Sequence, residues 1–279
     1  MKPLRELPIG VQDFEKLRKR KLLYIDKTQY VADLLRGGGI YFLSRPRRFG
    51  KSLFLSTLAA YFLGQAELFT GLYLEKAEEE QAVQENRAAW EVYPVMYLDF
   101  NTGNYNCIEA LTETLNIFLS RLEEIYGKKD IEETPAKRFE GLLVRAYQQT
   151  GKQVVILVDE YDKPLLQTMG VNETLNEQYR NELKAFYAVI KTCDEYIRFA
   201  FLTGVTKFSK ISIFSDLNNL RDISLEKHYA GICGITQKEL ETNFQPEIQV
   251  LADSQDLTYP ETLTDLQQWY DGYCFAPAG

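Results

Sequence analysis

The sequence predicts an α/β protein in three layers, helices covering both faces of a mainly parallel sheet. Short β-branched or aromatic runs alternate with long amphipathic stretches, which is the pattern of repeated βα units. The long stretches repeat apolar residues at three- and four-residue spacing, as in Leu111, Leu115, Phe118, Leu119 and Leu122. No internal repeat or low-complexity linker interrupts the alternation.

Taken in order, the candidate strands are 40–44, 95–100, 154–159 and 198–203, with a weaker one at 220–225. The helical patterns between them fall at 51–63, 108–126, 136–150 and 175–193. Residues 75–85 carry five glutamates and one lysine, and read as an exposed helix or loop without chemistry. From Thr236 onward the pattern is helical alone, opened by a threonine N-cap with Glu239 at the third helical position. The expected organisation is a core at 1–235 with an N-terminal extension, then the start of a small helical lid at 236–279, cut before a further domain.

Composition excludes several classes. The 279 residues, 45% hydrophobic and 26% charged, support a large core and are unlike a disordered chain. No apolar run approaches the ~20 residues of a membrane span, and the N-terminus has no signal core, so the expected location is the cytoplasm. Four scattered cysteines (Cys107, Cys193, Cys233, Cys274) without a CxxC pair, and one histidine, His228, argue against a zinc site or a Ser-His-Asp triad. The net charge of −8 divides unevenly: residues 1–53 carry +8 and the remainder −16. The basic groups therefore cluster where an anion is held, while the body repels nucleic acid. Within that cluster, 16–21 reads as a solvated helix face.

The strand at 40–44 runs into Arg45, Pro46, Arg47, Arg48, Phe49, Gly50, Lys51 and Ser52, and a helix follows. This matches the end of the phosphate-loop pattern GxxxxGK[ST]: glycine where the backbone turns onto phosphate, lysine for the β and γ phosphates, serine for magnesium. The amides of Arg48, Phe49, Gly50, Lys51, Ser52 and Leu53 would face the phosphates at a helix start, where peptide dipoles add positive charge. The first glycine of the pattern is replaced by Arg45. Arg45, Arg47 and Arg48 either add phosphate contacts or face the acidic body.

A second apolar strand ends in Asp159 and Glu160. In phosphate-loop ATPases such an aspartate holds hydrated magnesium and the following glutamate orients the attacking water, so the pair favours hydrolysis over transfer. Asp162 and Lys163 are either helix-start charges or participants. The strand at 95–100 intervenes between the two motif strands, as in the additional-strand class of P-loop ATPases, whose sheet order resembles 5-1-4-3-2. The strand at 198–203 then lies beside the phosphate-loop strand, and Thr203 is either a γ-phosphate sensor or a strand-end hydroxyl cap.

Together, the segments 7–14, 24–28 (YIDKT), 45–53 (RPRRFGKSL), 159–162 (DEYD), 203–205 (TGV) and 269–273 (WYDGY) resemble the bacterial AAA-ATPase-like family. Within that resemblance Arg45 belongs to the family's form of the loop. The resemblance further implies that members often continue into a PD-(D/E)xK nuclease-like domain, a missing effector for this chain; by analogy with related signalling and origin-recognition-type ATPases, 24–28 either packs near the adenine or forms an ordinary helix start at Lys27 and Thr28.

The leading expectation is a magnesium-dependent ATPase whose nucleotide state moves a lid and an effector domain. In it Lys51, Glu160 and Thr203 are catalytic, Ser52 and Asp159 hold Mg2+, and Arg48, Phe49, Gly50, Lys51, Ser52 and Leu53 bind ATP. A homo-oligomer supplying an arginine finger is compatible with it. The alternatives are a nucleotide-gated scaffold with negligible turnover and a nucleic-acid-associated module.

Overall fold

The computed structural model describes residues 6–206, 213–214, 219–270, 273 and 275. Five parallel strands form one sheet: β1 (Gly39–Ser44), β2 (Val95–Asp99), β3 (Val154–Asp159), β4 (Ile197–Gly204) and β5 (Leu220–Asp222). Their order is β2-β3-β4-β1-β5, the expected 5-1-4-3-2 read from the other edge. The strand expected at 198–203 does lie between the two motif strands.

Alternation along the central strands builds the three layers. Val154, Ile156 and Val158 of β3 face a core shared with α5 (Ile108–Tyr126), α6 (Pro135–Thr150) and α8 (Glu173–Thr192). Val155 and Leu157 face the opposite core, with α2 (Thr28–Gly37) and α3 (Lys51–Phe62). A strand buried on both faces must be apolar throughout, which is why the 154–158 run contains no polar residue. The four long helical patterns match α3, α5, α6 and α8 to within two residues at each end. Three further helices of the described residues are α1 (Phe14–Lys19), α4 (Tyr73–Gln84) and α7 (Lys163–Thr168).

Helix α4 corrects the reading of the acidic segment as wholly exposed. Glu78 is 1% exposed, and its carboxylate accepts hydrogen bonds from the Tyr61 hydroxyl (2.8 Å), Arg87 Nη1 (2.5 Å) and the Trp90 amide (3.0 Å). A buried carboxylate supplied with several donors, one of them a guanidinium, is tolerated where a lone one is not. Burial beside Glu78 also pushes the Tyr61 hydroxyl well above the usual tyrosine range.

After β5 and a 3-10 turn at Lys227–Tyr229 come α9 (Gln237–Asn243), α10 (Gln245–Ser254) and α11 (Tyr259–Tyr270). The Thr236 hydroxyl and the Glu239 carboxylate form the expected capping box at α9. Glu239 also pairs with Lys27 at 2.6 Å, and Lys27 Nζ donates to the Gly231 carbonyl at 2.7 Å. This joins the helical segment to the N-terminal part of the chain. Among the described residues no helix is long and apolar enough to cross a membrane.

Removing Glu78 strands Arg87 and the Tyr61 hydroxyl together. The Glu78→Ala variant is expected to lose about 3 kcal/mol of folding free energy, measured by urea denaturation. A loss below ~1 kcal/mol would show that the cluster is not structurally important.

Candidate nucleotide site

Parallel pairing brings the ends of four strands to one edge. Ser44 is level with Gly204, and Asp99 with Asp159. The chain leaves β1 at Ser44 and turns through 45–50 into α3, whose N-cap is Gly50 at φ +89°. Glycine is required there by the left-handed backbone rather than by space, since nothing lies within 4 Å of an added Cβ. Arg48 takes the same left-handed region at φ +67°, which costs a non-glycine residue on the order of 1 kcal/mol. The first intrahelical bond of α3 runs from the Phe54 amide to the Gly50 carbonyl. The amides of Lys51, Ser52 and Leu53 thus form the helix N-terminus, where aligned dipoles favour an anion.

Lys51 is 3% exposed, and all three of its ammonium protons have partners: the carbonyls of Arg45 (3.0 Å) and Pro46 (3.1 Å), and Glu160 Oε1 (2.8 Å). Ser52 donates its hydroxyl to Asp159 Oδ2 at 2.5 Å. The same oxygen accepts Asn101 Nδ2 at 3.2 Å, and Asp159 Oδ1 accepts the Thr203 hydroxyl at 2.6 Å. Burial raises the Asp159 carboxyl above the usual aspartate range, opposed by the Ser52 and Thr203 hydroxyls. Glu160 sits at φ +53°, and its amide donates to the Thr203 hydroxyl at 3.3 Å. Five of the residues expected in the site, Lys51, Ser52, Asp159, Glu160 and Thr203, therefore meet in one network.

Of the two readings of Thr203, the hydroxyl is observed bridging Asp159 and the Glu160 amide, fully buried. Asp162 stands at a helix start, as the N-cap residue of α7, but its side chain makes no capping hydrogen bond there. Its carboxylate receives the amides of Val205 (3.0 Å) and Thr206 (2.8 Å), pinning the turn after β3 to the segment after β4. Gly204 makes that approach possible, because a Cβ there would lie 2.4 Å from the Tyr161 ring. Lys163 Nζ donates to the Asn101 carbonyl.

The three arginines of the loop part company. Arg47 and Arg48 are exposed, whereas Arg45 is 1% exposed and turns away from the phosphate-facing side. It donates to the carbonyls of Ser44 (2.9 Å), Ser224 (2.7 Å) and Tyr229 (3.1 Å), so it faces the body of the chain, through backbone carbonyls, rather than the helix N-terminus. The arginine at the glycine position is a structural bracket. In α1, Lys19 and Arg20 pair with Glu15 and Glu6, and Arg18 donates to the carbonyls of Leu68 and Thr70 at 2.7 Å, as expected of an ordinary helix face.

Two cavities flank the loop. One, about 370 Å³, is lined by Tyr24, Ile25, Leu53, Ile232, Cys233 and Phe244 among others. Tyr24 and Ile25 line this cavity beside the loop, while Thr28 begins α2 with Lys27 as its N-cap residue. The other, about 410 Å³, is more polar and is lined by Ser52, Asp99 and Asp159. A larger hollow of about 750 Å³ runs along the outer face of α5 and includes none of these groups. Asn101 and the 231–235 segment were not singled out in the sequence. An asparagine after a strand has no local signature, and only the glycine pair Gly231 and Gly234 hints at a close approach. The Gly234 amide donates to the Phe49 carbonyl at 2.8 Å. His228 bonds Asp33 at the surface, away from the network, and no cluster of three or more metal-ligating side chains occurs among the described residues. Of WYDGY, Asp271 and Gly272 lie outside the described residues, as does Cys274.

A parallel sheet of this order, with a lysine-bearing loop entering a helix and a carboxylate pair on the neighbouring motif strand, defines a P-loop-type α/β/α fold. The chain belongs to the AAA-ATPase-like family, described as predicted AAA-ATPase, which matches residues 8–214. The family description supports nucleotide binding and ATPase activity at a general level. It is 39% identical over 271 residues to a protein described as "Uncharacterized protein in vnfD 5'region" from Azotobacter chroococcum mcd 1. The alignment covers 96% of the chain and 48% of that relative, so the chain spans about half of the relative's length. No solved structure matches.

The raised carboxyl of Asp159 predicts a pH effect. A carboxylate whose folded pKa exceeds its unfolded value is penalised when ionised, so the penalty is full above the folded pKa and disappears as pH falls below the unfolded one. Asp159→Asn should therefore unfold at a higher temperature than the parent chain near pH 7, without nucleotide. The gap should narrow as pH falls toward 4, measured by thermal melts. An advantage that widens with acid would contradict burial as the dominant effect.

Proposed function

We propose that the chain binds ATP with Mg2+ on the 45–53 loop and hydrolyses the β,γ-anhydride. The observation that carries this reading is the convergence of Lys51, Ser52, Asp159, Glu160 and Thr203 at the ends of β1, β3 and β4, beside the N-terminus of α3. The cavity of about 370 Å³ suits an adenine. Its lining includes Lys27 and Arg48 but no carboxylate, so it offers no acidic partner for the N1 and N2 donors of a guanine.

One hydroxyl and one carboxylate suit magnesium, which keeps most of its waters and takes few protein ligands. Ser52 and Asp159 would hold it, and it would neutralise charge on the β and γ oxygens. Lys51 exchanges Glu160 for phosphate oxygens and stabilises charge on the γ-phosphoryl group. Glu160, released from Lys51, accepts a hydrogen bond from the attacking water and aligns it with the breaking bond. Thr203 keeps Asp159 oriented and reads the γ phosphate when its proton turns toward it. The α9–α11 helices serve as the lid, since Phe244 lines the base cavity, and a following effector domain, nuclease-like by family resemblance, receives the motion. The length of the relative supports that arrangement.

A second reading rests on the same Lys51–Glu160 pair: a scaffold that binds ATP, keeps Glu160 occupied and turns over negligibly. Steady phosphate release over many turnovers at saturating ATP separates the two, because only the first reading predicts it.

Lys51→Ala is expected to weaken ATP binding at least tenfold, read by calorimetry. Glu160→Gln should bind ATP as tightly as the parent or tighter, because the anion competing for Lys51 is gone, and lose about 10²–10³-fold in turnover. Turnover retained by Glu160→Gln would remove the water-orienting role.

A further inference from the structure

Part of the WYDGY segment lies directly on the phosphate loop. The ring of Tyr273 meets that of Phe49 edge-on, centroids 4.8 Å apart, and Phe275 meets the same ring at 5.5 Å. Tyr273 and Phe275 are near-parallel at 6.0 Å. Phe275 also covers the Arg45 guanidinium, whose central carbon is 4.1 Å from the ring centroid. Phe49 is thus held from two sides, by these rings and by the Gly234 amide on its carbonyl.

We propose that Tyr273 and Phe275 form a strap on the phosphate loop, which a nucleoside triphosphate releases, passing occupancy of the loop to the chain beyond α11. The inference rests on the nucleotide-binding reading above and gives the WYDGY segment a role that reading did not include.

The direction of the coupling follows from Lys51. In the arrangement the strap grips, all three ammonium protons are used, two of them by carbonyls of Arg45 and Pro46 in the same loop as Phe49. A triphosphate must take protons from this set, and the loop that supplies the carbonyls must then shift. Phe49 stands within the run of amides that would face the phosphates, so its backbone cannot turn without moving the ring under the strap. A ligand shifts an equilibrium only by its differential affinity for two arrangements. Here the strapped arrangement is the one with Lys51 satisfied from within.

Arg45 makes release inexpensive. Although it is 1% exposed, its Nε has no hydrogen-bond partner. A buried, unpaired donor is unfavourable, and lifting Phe275 admits water to it. Loss of the ring contacts is thereby partly offset, which keeps the strap near balance. Tyr273 is 61% exposed already, so its contribution is the smaller.

The test uses the full chain, a non-hydrolysable ATP analogue with Mg2+, calorimetry for affinity and hydrogen exchange for the 269–275 segment. Saturating analogue should speed exchange there several-fold. Phe275→Ala should tighten analogue binding about three- to tenfold, the reciprocal effect demanded by linkage, and Tyr273→Ala should act in the same direction more weakly. Unchanged exchange and affinity with the analogue bound would overturn the strap while leaving the nucleotide site standing. Slower exchange with weaker binding by Phe275→Ala would mean that the strap closes on nucleotide, which overturns release. Failure of the parent chain to bind the analogue would overturn the site and the strap together.

Discussion

The carboxylate of Asp159 is the point on which the site depends. It is buried at the end of the interior strand β3 and is satisfied by three donors from three elements: Ser52 at the start of α3, Asn101 after β2, and Thr203 at the end of β4. A buried carboxylate tolerates little deviation, since each missing donor leaves a large desolvation cost unopposed. Satisfying it therefore aligns the helix, both neighbouring strands and the turn that carries Glu160. The same oxygens that organise the network are those a hydrated cation would need, so structural order and ligand chemistry coincide at one residue.

The Lys51–Glu160 pair adds a different property. Both side chains are nearly buried, and a buried ion pair is stabilising only while both partners remain. In the proposed function phosphate oxygens would replace the glutamate, which would free its carboxylate beside the anhydride and link the charge balance of the pocket to turnover through one lysine.

Arg45 shows how one loop connects to distant segments. The usual glycine allows the backbone to pass close to phosphate, whereas here the guanidinium is directed away from it into the carbonyls after β5. Those hydrogen bonds tie the end of β1 to the 224–229 segment, and Phe275 covers one face of the guanidinium. The segment after residue 236 is therefore joined to the core at Lys27 through Glu239, and at Phe49 and Arg45 through Tyr273 and Phe275.

Much of the architecture was legible in the sequence because it follows from local chemistry. Strands apolar on every residue, helices with three- and four-residue periodicity, a glycine before Lys51 and a threonine–glutamate capping box are each dictated by neighbouring residues, and the strand inserted between the two motifs implied the sheet order. What one sequence could not decide was pairing over distance. Glu78 looked like one more solvated glutamate until Arg87, Tyr61 and the Trp90 amide surrounded it. Asn101 had no local signature, and the three loop arginines were indistinguishable by type although one is buried and two are exposed. The sequence by itself determined the layers and the loop that joins β1 to α3, because periodicity and motif spacing are properties of adjacent positions. Only the tertiary structure decided which residues touch, that Lys51 is held by Glu160, and that Phe275 covers Arg45, because a side chain's partner depends on which distant segment the fold places within reach.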